Sequence, residues 1–163
     1  MSSLIWIEDQ PSTLSAAQGE LEDRGWTVTF TGDIDAAATA LSEWTYDALI
    51  MDLMVAGGPG GVRQGFAIWA TYRLLCWLRG TPPDANRGVA SQWTSIDRLT
   101  PIESNRTIPA MILSAYHEPE VTAALVVVDR AQLDREIRCF AKPLHSGRIA
   151  DELIALVTAE RRT

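Results

Sequence analysis

The chain has 163 residues, 47% of them hydrophobic and 21% charged, with a formal net charge of −7 and a pI of about 4.8. That length suits one compact domain with a proper core, and the acidic balance argues against a broad phosphate-binding surface, so no direct contact with nucleic acid is expected. Apolar runs stay short of the roughly 20 residues that span a bilayer, and no basic-then-apolar leader opens the chain; no membrane contact and a cytoplasmic location are the expectation.

The elements follow in order. Residues 4–7 are a short apolar run ending in the acids Glu8 and Asp9, which predicts a buried strand. Pro11 and Ser12 open a helix with Leu14, Ala17 and Leu21 on one face, stopped at Gly25. Residues 27–31 are rich in β-branched side chains and end at Gly32, a second strand. Asp33 suits the cap of a helix running through Trp44, with Ala37, Ala40, Leu41 and Trp44 facing inward. Residues 48–51 read as a third strand ending at Asp52. A helix over 65–78 carries apolar residues around most of its circumference and should be well buried. Strands are expected at 109–113 and 137–141, and a last helix from Ser146 or Gly147 through Glu160 with Ile149, Leu153, Leu156 and Val157 toward the core. Between 118 and 136 Pro119 suits a helix start while residues 126–128 could equally be extended; a helix is the expectation.

Strands alternating with helices predict an α/β domain with a doubly wound, five-stranded parallel sheet. Two stretches exceed a minimal version of it: the Gly-rich loop at 56–61, directly after Asp52, and an irregular excursion at 80–107 between the third helix and the fourth strand. Trp93, Ile96, Leu99 and Ile102 are the anchors of that excursion, either for a partner or for packing back on the domain. Cys76 and Cys139 stand in apolar segments without metal-ligand spacing, as buried free thiols would.

In an open parallel sheet, ligands bind beyond the carboxyl ends of the strands. The polar residues there are Glu8 and Asp9, Asp52, Ser114 and Lys142. Three converging carboxylates repel one another unless a cation sits among them, and oxygen ligands with water suit Mg²⁺. A hydroxyl and an ammonium arriving from the other side suit phosphoryl oxygens, so the set describes a phosphoryl-transfer site. Against thirteen arginines the chain has one lysine, and it stands at this edge, beside Pro143.

At these residues the chain resembles the response-regulator receiver domains, the CheY-like superfamily with a flavodoxin-like fold. Ile7-Glu8-Asp9-Gln10-Pro11 is similar to the acidic pair, Asp47 through Leu53 to the phosphoacceptor strand, Ile112-Leu113-Ser114-Ala115 to the strand-four hydroxyl, and Phe140-Ala141-Lys142-Pro143-Leu144 to the Lys-Pro signature. The resemblance covers 1–163 as a single, stand-alone receiver apart from the insertions. It implies Mg²⁺ held by Asp9, Asp52 and the backbone carbonyl of Met54, with Glu8 acting mainly through water. Asp52 would be the nucleophile, Ser114 would hydrogen-bond the phosphoryl group, and Lys142 would pair with Asp52 or its phosphate.

The implied function is Mg²⁺-dependent phosphorylation of Asp52 in a two-component phosphorelay, switching protein–protein interactions. The donor would be a histidine kinase or phosphotransfer protein, and the output a downstream protein target, with a homodimer left open. This is self-phosphorylation with slow autodephosphorylation rather than conventional enzymology. The alternative is a degenerate receiver that docks partners without phosphorylation. A haloacid-dehalogenase-type hydrolase would carry a second Asp where this chain has Met54. Two departures from the family pattern stand out. Asp52 and Ser114 are unusually far apart, and Cys139 occupies the position three before the lysine, where receivers place a switch aromatic; Phe140 is one residue off and should face the opposite side of the strand.

Overall fold

The computed structural model describes residues 1–52, 67–81, 96–114, 137–142 and 144–160. Five strands, β1 (Ser2–Ile7), β2 (Trp26–Thr31), β3 (Ala48–Asp52), β4 (Ala110–Ser114) and β5 (Ile137–Ala141), form one sheet in the order β2-β1-β3-β4-β5, every neighbouring pair parallel. Among the described residues four α-helices accompany them: α1 (Ser15–Asp23), α2 (Ile34–Glu43), α3 (Ala67–Arg79) and α4 (Ser146–Glu160). A 3₁₀ turn at Pro11–Leu14 leads into α1. The expected strand over 109–113 begins and ends one residue later, and the expected helix start at 65 lies outside the described residues.

The sheet is buried on both faces, which is why its strands read as continuous apolar runs rather than alternating ones. Ile5, Ile7, Leu49, Met51, Ala110 and Ile112 pack with α2 and α3, through Ile34, Ala37, Leu41, Leu74, Leu75 and Leu78. The residues between them, Leu4, Trp6, Ala48, Ile50, Met111 and Leu113, pack with α1 and α4, through Ala17, Leu21, Ile149, Leu153 and Leu156. Register is therefore enforced by the strand ends. A one-residue slip would draw Glu8 or Asp52 into an apolar layer, where an unpaired carboxylate is far costlier than any apolar exchange.

Helix ends follow the punctuation of the sequence, with one correction. Gly25, at φ +83°, closes α1 and donates its N–H to Glu22 O at 2.9 Å. Asp33 caps α2, its side chain accepting from Ala36 N at 2.7 Å. Trp44, expected on the inner face of that helix, is instead 65% exposed. The helix stops at Glu43 and Trp44 is extended (φ −130°, ψ 151°), so the helical period no longer governs where it points; Ala38 is buried on the inner face and Ala40 only partly so.

The excursion begins at a built helix stop. Gly80, at φ +69°, donates to Trp77 O at 3.2 Å and Thr81 donates to Cys76 O at 2.9 Å, a Schellman arrangement. A Cβ at Gly80 would lie 2.5 Å from Arg106 Nη1, the movable end of a long side chain, so it is the positive φ that calls for glycine. From Ile96 onward the segment packs back on the domain. Ile96 is buried, Leu99 packs on the α2/α3 core, and Ile102 is half-buried. Trp93 lies outside the described residues.

Asn105, fully buried within the turn Glu103–Thr107, ties this strap down. Its amide donates to Leu41 O at 2.9 Å and Trp44 O at 2.7 Å, and its carbonyl accepts from Tyr46 N at 2.9 Å. These are carbonyls left open at the carboxyl end of α2. Arg79 donates to Arg106 O and to Ile108 O, and the Trp77 indole donates to Leu99 O, so α3 is stitched to the same strap.

Candidate functional site

The strand order reverses between β1 and β3: the chain leaves β1 outward to β2 and returns on the other side. Beyond the carboxyl ends of these two strands lies the crevice that such a reversal leaves. Glu8 follows β1, and its N–H continues the ladder to Thr31 O at 2.9 Å. Asp52 closes β3. Ile7 pairs with Met51, so one step further along the register sets Glu8 level with Asp52. Both are nearly buried, at 4% and 6% exposure.

Lys142 directly follows β5. Its Nζ donates to Asp52 Oδ2 at 2.8 Å and to Glu8 Oε2 at 2.7 Å. Burial alone would lower the lysine pKa, but the hydrogen bonds to Asp52 and Glu8 and their charge outweigh it and leave it above the ordinary value. The ammonium is thus a fixed positive charge between two buried carboxylates.

Asp9 is half-buried beside Glu8 in the chain. Ser114 ends β4, its backbone opposite Ala141 and one residue past Leu113, the register partner of Asp52. Met54 and Pro143 lie outside the described residues, as does the 118–136 stretch. Cys139 pairs with Ile112 through its backbone. Phe140 lies against the α1/α4 core. The bond between Glu8 and Lys142 is the part of the site that sequence reasoning did not find. The available signal was parity: Glu8, Asp52 and Lys142 each stand two residues beyond a residue of the α1/α4 face, Trp6, Ile50 and Phe140.

The donor chemistry fits a hard divalent cation. Glu8, Asp9 and Asp52 offer only oxygens, and one ammonium leaves two formal negative charges in excess. Among the described residues no three His, Cys, Asp or Glu side chains gather as a metal cage of their own. A Mg²⁺ site that keeps several waters does not need one.

Comparison of the whole fold gives the decisive likeness. The receiver domain of a signal-transduction histidine kinase from Syntrophus aciditrophicus superposes with a TM-score of 0.65 at 19% identity, over 100% of this chain and 95% of that one. The chain has the receiver fold. A CheY-like receiver-domain protein from Methanospirillum hungatei gives a TM-score of 0.64 at 10% identity, over 99% and 98% of the two chains. The receiver domain of a sensor histidine kinase from Pseudomonas aeruginosa, described with a magnesium ion coordinated in its active-site cleft, gives 0.61 at 17% identity, over 96% and 98%. No family model matches the sequence, and no curated protein matches it. Within the receiver fold, the crevice holding Glu8, Asp52 and Lys142 is at the carboxyl edge of the sheet. Among the described residues no helix is long and apolar enough to cross a membrane.

Proposed function

We propose that this chain is a phosphoacceptor receiver, phosphorylated on Asp52 with Mg²⁺ and switching protein–protein contacts in a two-component relay. The observation that carries the reading is the Lys142 ammonium at 2.8 Å from Asp52 Oδ2, at the carboxyl edge of a receiver-fold sheet. A carboxylate nucleophile needs its charge held in place and the incoming phosphoryl charge met, and a fixed ammonium supplies both. Asp9 and Asp52, with the Met54 carbonyl, would hold Mg²⁺, which neutralises phosphoryl charge when bound.

In the step itself an Asp52 oxygen forms a bond to phosphorus while the donor's P–N bond breaks. The departing imidazole nitrogen keeps that electron pair and takes up a proton. Lys142 stays beside the acyl phosphate, and Ser114 is assigned a hydrogen bond to one of its oxygens. The donor is a phosphohistidine of a histidine kinase or phosphotransfer protein.

The test is direct. Incubation with a small phosphodonor and Mg²⁺ should add about 80 Da, one phosphoryl group, to the intact chain. The added mass should require Mg²⁺ and map to Asp52. A chain that binds partners equally well with and without donor, and never gains that mass, would instead be a phosphorylation-independent docking module.

A further inference from the structure

We infer that Glu8 serves Lys142 rather than the metal: it is a positioning residue that holds the ammonium against Asp52. The inference rests on the receiver reading above and gives one of its acids a different task.

Glu8 is 4% exposed, and both of its carboxylate oxygens are already engaged by the chain. Oε2 accepts from Lys142 Nζ at 2.7 Å, and Oε1 accepts from the backbone N–H of Gln10 at 3.2 Å. Carboxylate oxygens can accept more than one partner, so what marks Glu8 is that its bond to the ammonium is buried, charge-assisted and short.

The register explains why the lysine needs a second holder. Glu8 and Asp52 stand at one level on adjacent strands, so their charges repel, and the ammonium between them removes that repulsion. Lys142 comes from β5, two strands away from β3, on a flexible stem. With Asp52 as its single anchor the ammonium would follow every change in that carboxylate. Anchored also on Glu8, it stays in place while Asp52 turns from a carboxylate into an acyl phosphate. Glu8 therefore sets the lysine for both states.

A double-mutant cycle separates this task from metal binding, because a residue that acts only through another loses its effect when that other is removed. Labelling by phosphoramidate at saturating Mg²⁺ is followed by intact mass for wild type, Glu8→Gln, Lys142→Ala and the pair. Mg²⁺ affinity is read from intrinsic tryptophan fluorescence, with Asp9→Asn as the reference. Because Lys142 is the only lysine, ε-¹⁵N-lysine labelling gives a single side-chain NMR signal that reports on it directly. Should Lys142→Ala not fold, Lys142→Gln takes its place.

Glu8→Gln should slow labelling roughly tenfold in the wild-type background and less than about twofold when Lys142 is gone. It should shift the lysine signal, and weaken Mg²⁺ binding by no more than about threefold, where Asp9→Asn weakens it by about tenfold or more. Effects of Glu8→Gln and Lys142→Ala that multiply, or a Mg²⁺ loss in Glu8→Gln equal to that in Asp9→Asn, would overturn the assignment while leaving the phosphoacceptor reading intact. The converse failure is distinct: if no protein is labelled while the lysine signal and the Mg²⁺ affinities behave as stated, the phosphoacceptor reading fails and the task of Glu8 stands.

Discussion

Lys142 Nζ lies 2.8 Å from Asp52 Oδ2 across a separation of 90 residues in sequence. The two belong to strands that are not neighbours, since β4 stands between β3 and β5. Two strand spacings are about 9.6 Å, so a long side chain must reach over the end of β4 to make this bond. The lysine stem does so, and it delivers its charge to Glu8 as well.

Asp52→Asn should abolish the mass gain with phosphodonor, because an amide neither attacks phosphorus nor ligates Mg²⁺ well. Asp9→Asn should still label, more slowly and with a higher Mg²⁺ requirement. Intact mass spectrometry across a Mg²⁺ series checks both. Full labelling of the Asp52 variant would remove the nucleophile from this site.

Lys142→Ala leaves two buried carboxylates without their ammonium. Breaking a fully buried pair costs roughly 3–5 kcal/mol. Solvent reaches the lysine, whose side chain is 26% exposed, so about 2–3 kcal/mol is expected. Mg²⁺ should restore part of it, raising the melting temperature of the variant more than that of wild type. The variant should accept phosphate yet lose its conformational response, and Lys142→Arg should rescue only in part, because a planar fork cannot replace a point charge between two acids. An NMR response to phosphorylation like that of wild type would contradict this.

Asn105→Ala should lower stability by roughly 3 kcal/mol in urea unfolding, since three hydrogen bonds go and the Tyr46 N–H and Trp44 carbonyl lose this partner, while Leu41 O keeps the Ile102 N–H. Asn105→Asp keeps an acceptor for Tyr46 N but loses both donors, and should also destabilise. Replacing 80–107 by a short Gly-Ser link should abolish folding rather than merely a partner contact. A folded, labelled protein after that replacement would show the strap to be dispensable.

Cys76 is fully buried, and burial pushes its thiol pKa up, the bond with Tyr72 opposing this only partly. It should resist alkylation at pH 8 in the native chain and react on unfolding, as peptide mass mapping will read. The unfolded chain ionises this thiol first, so its contribution to stability is intact below about pH 8.5 and declines as pH rises above that. Rapid native alkylation would refute the burial argument.

The receiver resemblance would set Met54 and Tyr116 beside the approach of the hydrolytic water to a phosphorylated Asp52. Both are bulky and neither is a base at neutral pH, so the aspartyl phosphate should be long-lived. Met54→Asn with Tyr116→Glu should shorten its lifetime by roughly tenfold, equivalent to about 1.4 kcal/mol of barrier. A lifetime of seconds in the wild type, unchanged by the double substitution, would show that these side chains do not guard it.

Much of this molecule is written locally. Apolar runs of strand length mark the strands, Gly25 and Gly80 stop helices because only glycine takes a positive φ cheaply, and Asp33 caps because its carboxylate answers an open N–H. Acids and the lone lysine at the ends of apolar runs are legible as a candidate site, since polar groups are excluded from a sheet buried on both faces. Tertiary structure decided what depends on distant partners. Whether Trp44 points inward turned on where α2 unwinds, and Asn105, an ordinary loop residue by pattern, became a buried keystone because the carbonyls it satisfies lie some sixty residues away. The bond from Lys142 to Glu8 likewise required the strand order, which brings the ends of β1, β3 and β5 to one edge. Local chemistry chooses the residues at that edge; only long-range packing determines which of them meet.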